Sequence, residues 1–197
     1  MLMGTVQTRS RIPFRARGLS LLELMIYVAV LATLAVPLGM ITVSSSRAAA
    51  EGDMFSKVLE RNRTALNRVI ADYRSSRNGT TLITNGGKTL QFTSTTGFDG
   101  TAPIAGPVIR YVMRLDPAEA ANGLDDNKNG LIDESILVHI NQTTLVETVI
   151  SYGLNTAASS FVANGAGITV NLVHAGTTHA TSGNYEVRRA VNVFPRN

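Results

Sequence analysis

Residues 125–134 read "DDNKNGLIDE". Asp125, Asn127, Asn129 and Asp133 bring oxygen-bearing side chains at alternating or near-alternating positions, with Gly130 between them. They match the first, third, fifth and ninth positions of an EF-hand-type calcium loop, and Gly130 matches the sixth, where a sharp turn is needed. The seventh position of such a loop gives a main-chain carbonyl, here that of Leu131. The twelfth position departs from the pattern: it is Ile136, where a bidentate Glu belongs, and Glu134 is the nearest carboxylate. Calcium is therefore the one cofactor the sequence points to, with Asp125, Asn127, Asn129, Leu131, Asp133 and Glu134 as its expected ligands. An Asn/Gly-rich solvated hairpin turn has the same composition, so the motif alone leaves both readings open. Charge adds weight to a cation. Asp116, Glu119, Asp125, Asp126, Asp133 and Glu134 crowd the segment against Lys128 alone, and such carboxylates repel unless they are solvated or bridged.

Glu23 is the second residue of chemical interest. It is the only charged residue between Gly18 and Ser46, in a run long enough to cross a membrane. A charge inside a bilayer is costly and marks function by default, and it pairs with an opposite charge where one is available. Its alternative role is local: a carboxylate in the first turn of a helix complements the N-terminal dipole. The remaining polar chemistry is sparse. His139 lies in an apparent strand, and His174 and His179 flank a Gly/Thr turn with no acid paired to them. No GxSxG, HExxH or phosphate-cradling Gly-rich motif is present. The sequence reads as a non-enzyme.

The elements that must position these residues follow from hydropathy. Residues 1–18 form a basic leader with Arg9, Arg11, Arg15 and Arg17 and no acid. They carry the whole net charge of +4, so the rest of the chain is balanced and offers no strong basic field to nucleic acid. There is no Cys, which excludes disulfides and thiolate metal sites. Residues 19–43 are apolar apart from Glu23 and a few small polar side chains. As a helix they reach ~37 Å, against ~30 Å of hydrocarbon. Arginines on one side place the N-terminus in the cytoplasm and the rest outside it. Pro37 should loosen this helix locally. In residues 44–79, Phe55, Val58, Leu59, Leu66, Val69, Ile70 and Tyr73 recur at helical spacing, and Asn78-Gly79 marks the expected stop. Residues 80–197 hold strand patterns at 89–95, 108–115, 134–141, 144–154, 167–175 and 184–194, separated by Gly- and Asn-rich breakers. The expected fold is α+β, with one long N-terminal helix packed on an antiparallel β-sheet head.

The stretch "RGLSLLELMIYVAV" resembles the N-terminal signature of type IV prepilins and type II secretion pseudopilins, with Gly18, Leu19, Ser20, Leu21, Leu22 and Glu23 in the places of that motif. Leu19 stands where Phe is commoner. The resemblance implies cleavage between Gly18 and Leu19 by a prepilin peptidase and methylation of the new Leu19 amine. It implies that Glu23 pairs with the N-terminal amine of a neighbouring subunit. It further implies a minor structural subunit, single-pass in a bacterial inner membrane, whose partners are the lipid bilayer, other pilin or pseudopilin subunits and an inner-membrane assembly platform. Calcium that rigidifies loops also occurs in some heads of this family. The rival reading is a bitopic membrane protein whose β-rich head binds a ligand or partner.

Overall fold

The computed structural model describes residues 20–177 and 184–196. Contacts within the chain divide it into two compact units with the boundary after Ser46. A single helix, α1 (Leu21–Arg74), contributes to both. In the first unit its side chains are exposed throughout, and the most apolar window has a mean hydropathy of 2.3 with none of it buried. By length and composition this helix is compatible with a single membrane crossing. Helical geometry continues through Pro37.

The second unit contains the rest of α1 and an eight-stranded antiparallel sheet. Its strands are β1 (Leu82–Thr84), β2 (Thr89–Phe98), β3 (Pro103–Leu115), β4 (Ser135–Asn141), β5 (Val146–Leu154), β6 (Ser160–Asn164), β7 (Gly167–Thr177) and β8 (Asn184–Val193). The order is β1-β2-β3-β4-β5-β7-β6, and β8 pairs with the other edge of β7. One edge of β7 is therefore shared: β6 takes residues 167–171, and β5 meets it at Leu154 opposite His174. The sheet curls until β6 lies against the short turn before β2. A Cβ at Gly87 would come 2.8 Å from the Phe161 carbonyl oxygen, and Gly87 has φ +83, so both the close approach and the backbone favour glycine there.

Val58, Asn62, Ala65, Leu66, Val69 and Tyr73 form the buried face of α1. Their steps of three and four keep them on one side of a helix. Ala65, Leu66, Val69 and Tyr73 pack with Leu90, Phe92, Tyr111, Leu137, Phe161, Val170 and Leu172 of the sheet in one core. The architecture is thus the expected α+β arrangement of a long helix packed on an antiparallel sheet. A second, smaller cluster of Ile136, Val138 and Ile140 lies with Val112. Along β4 the residues Ser135 to Val138 are all buried, so this strand is covered on both faces.

Several boundaries differ from the sequence reading. The helix ends at Arg74, before Asn78-Gly79. Ser75 Oγ donates to the Asp72 carbonyl at 2.6 Å, Arg77 N–H donates to the Thr93 carbonyl, and Thr95 N–H donates to the Ser75 carbonyl. The chain leaves the helix early because its backbone is taken up by β2. Phe55, placed on the buried face by spacing, is 48% exposed, with its ring 5.7 Å from that of Tyr185. Asn62 and Ala65 fill the inward positions instead. "TGFDGTAPIAGP", read as a breaker, belongs mostly to the β2–β3 hairpin.

Candidate functional site

The described start of α1 is set by Ser20. Its hydroxyl oxygen accepts the Glu23 N–H at 3.2 Å, and its carbonyl accepts the Leu24 N–H. Ser20 followed three residues later by Glu23 has the spacing of a capping box, a signal present in the sequence but not read from it. The Ser-Leu-Leu-Glu stretch therefore has a local structural reason of its own. The Glu23 carboxylate is exposed, and the Tyr27 hydroxyl one turn on lies 3.5 Å from it, at the outer limit of a hydrogen bond. Glu23 lies in the first turn, where negative charge is favoured by the dipole. Gly18, Leu19 and His179 lie outside the described residues.

The acidic loop is held by its own side chains. Asn129 N–H donates to Asp125 Oδ1 at 3.1 Å and to Asn127 Oδ1 at 3.0 Å. Gly130 N–H donates to Asp125 Oδ2 at 2.8 Å, and Leu131 N–H to Asn129 Oδ1 at 2.8 Å. The first, third and fifth motif positions thus turn their oxygens inward onto the following backbone. Gly130 has φ +88, and a Cβ there would meet Thr177 Cγ2 at 2.9 Å, so the sixth position needs glycine on both counts. Glu134 folds back over the loop. Its Oε1 accepts the side-chain amides of Asn127, at 2.9 Å, and of Asn129. Asp133 points elsewhere: its two oxygens accept the N–H groups of Asn122 and Gly123 at 3.2 and 2.9 Å. Ile136, at the twelfth position, is buried in the smaller cluster, which explains why no ligand stands there. Glu119 also turns inward and accepts the N–H groups of Asp126 and Asn127.

Two polar clusters, one in the core and one at its edge, escaped sequence reasoning. Asn62 of α1 donates through Nδ2 to the carbonyls of Leu172 and Val187 at 3.0 and 3.1 Å, and this nitrogen lies 2.9 Å from His174 Nδ1. His174 Nε2 lies 2.5 Å from the Ser151 hydroxyl. Burial, and after it the charge of Arg61, lowers the His174 pKa to about 4. His174 is thus a neutral ring that fastens the helix to β5, β7 and β8. The second cluster centres on Asp72 Oδ2, which accepts from the Tyr111 hydroxyl at 2.6 Å and from Arg68 Nε at 3.1 Å. His139 Nε2 lies 3.6 Å away. Burial lowers the His139 pKa while Asp72 opposes the shift. Burial, and then the bond to Asp72, raise that of Tyr111. Both clusters tie α1 to the sheet, and Arg68 and His139 of the second also line a surface cavity beside β4 and β5.

No family model, no curated protein and no solved structure matches this chain.

Proposed function

We propose that the chain is a membrane-anchored structural subunit, of the minor class, of a type IV pilus or type II secretion pseudopilus. The observation that carries this reading is the division of labour along one helix. Residues 47–74 of α1 bury a face in the head, while the apolar residues from Leu21 to Val43 have no cover among the described residues and include the single carboxylate of Glu23. An apolar half-helix of this length can be covered by lipid or by the same half-helix of neighbouring subunits. A prepilin peptidase would cut after Gly18 and leave Leu19 as an α-amine, later methylated. As subunits leave the inner membrane through their assembly platform, the Glu23 carboxylate of one pairs with the Leu19 amine of the next. The pair offsets the cost of burying each charge, a few kcal/mol for a carboxylate at mid-membrane depth, and fixes the axial register. The role is structural, not catalytic.

The test is incorporation. In a cell running the assembly machine that this chain serves, Glu23→Ala should reach the membrane at normal level, while its share of sheared fibres drops at least tenfold relative to wild type. Equal incorporation of Glu23→Ala would remove Glu23 from the assembly mechanism.

A further inference from the structure

We propose that the loop of residues 125–134 binds one calcium ion through the side-chain oxygens of Asp125, Asn127 and Asn129, the Leu131 carbonyl and the Glu134 carboxylate, with Asp133 outside the shell. This inference stands independently of the pilin reading. The observation that points to a cation is Glu134. It is 5% exposed, and while its Oε1 accepts from both asparagines, its Oε2 is buried with no hydrogen-bond partner among the described residues. A buried carboxylate oxygen without a donor is expensive. Lys57 and Arg61 line a cavity together with Asp116, Asn127 and Asn129, yet no donor among the described residues reaches this oxygen, and the acids Asp116 and Glu119 are themselves buried nearby. A cation answers both needs: it takes the free oxygen and offsets the crowding of negative charge.

The ion class follows from the donors. Among the described residues no three Asp, Glu or His groups converge as a metal cage, so a shell here needs amide and carbonyl oxygens as well as carboxylates. That mixed, all-oxygen set suits calcium, whereas zinc prefers nitrogen and sulfur. Asp125, Asn127 and Asn129 each accept backbone N–H groups, and each oxygen keeps a second lone pair for an ion. Glu134 supplies the carboxylate from the tenth position because Ile136, at the twelfth, is committed to the core of β4. The ion would tie the start of β4 to the long β3–β4 connection.

The experiment uses the full chain in detergent micelles, stripped of metal with chelator and titrated with calcium or magnesium by calorimetry and by thermal unfolding of the β-rich head. One calcium should bind per chain, with a Kd of ~1 mM or tighter, the range of extracellular calcium modules, and should raise the unfolding midpoint. Magnesium should do neither at the same concentration. Glu134→Gln should weaken calcium binding at least tenfold, and Asp125→Asn, read in the same way, covers the case in which Glu134→Gln does not fold. Asp133→Asn should bind within about threefold of wild type. No calorimetric binding and no midpoint shift at ~10 mM calcium, or an equal response to magnesium, would overturn the proposal. Loss of binding in Asp133→Asn with the fold intact would overturn the proposed ligand set.

Discussion

Asp72 and His174 show how single polar residues hold this head together. Asp72 receives the hydroxyl of Tyr111, a side chain with no exposed surface. Asp72→Ala leaves that hydroxyl without its acceptor, and unfolding by denaturant should show a loss of about 1–3 kcal/mol. Arg68→Ala removes the other donor to the same oxygen, yet the Arg68 side chain is 54% exposed, so its loss should cost less than about 1 kcal/mol. His174 makes a pH prediction. Its folded pKa of about 4 lies below the ordinary histidine value of 6.5, so between those values the unfolded chain binds a proton that the folded chain refuses. The corresponding stability is complete above pH 6.5 and is lost as pH falls towards 4, by about 3 kcal/mol in all. Between pH 6.5 and pH 5 the unfolding free energy should fall by about 2 kcal/mol from this group, and His174→Asn should flatten that slope. His139 shifts in the same direction and leaves a residual slope. Neither Asn62 nor His174 was recognisable as a fastening in the sequence. Periodicity marks polar residues as solvent-facing, and only the sheet reveals that Asn62 faces carbonyls of β7 and β8. The run of oxygen-bearing side chains at 125–134 was visible because its spacing is local, whereas the turning away of Asp133 depends on the Asn122–Gly123 backbone, which no spacing rule places.

At the level of elements, the helix and the longer strands could be read from pattern because each carries its own periodicity. The steps of three and four through Leu66, Val69 and Tyr73 gave the helix, and β-branched runs gave β3, β4, β7 and β8. Strand β6 was missed. Only Phe161 of its five residues is buried, and the flanking Ser, Asn and Gly read as loop. β1 has three residues, too few to show alternation. The helix end was misplaced because Ser76, bridged to Ser94, is claimed by a partner strand distant in sequence. Packing of α1 on the sheet yields a direct prediction. Leu66 is 3% exposed within the main core, so Leu66→Ala should destabilise the head by about 2–5 kcal/mol. Arg63→Ala, on the exposed face of the same helix, should change stability by no more than about 0.5 kcal/mol. Thermal or denaturant unfolding of the two variants side by side measures the difference.

For the molecule as a whole, the basic character of the sequence resides in residues 1–18, and the remainder has no net charge. A processed subunit would therefore be neutral, and association through apolar half-helices would meet little overall charge repulsion. The long helix and the sheet head could be anticipated from the sequence because hydropathy and alternation are chain-wide signals; the curl of the sheet and the sharing of β7 between β5 and β6 could not, since they depend on pairings between distant segments. What distinguishes a filament subunit from an anchored head is the fate of the N-terminus. Intact-mass analysis of the membrane-extracted chain, expressed with and without an active prepilin peptidase, decides it. A filament subunit loses residues 1–18 only when the peptidase is active and then begins at Leu19, with the added mass of a methyl group where the methylating activity is present. A chain that keeps its Met1 terminus beside an active peptidase contradicts the pilin reading and leaves a bitopic protein with a ligand- or partner-binding head.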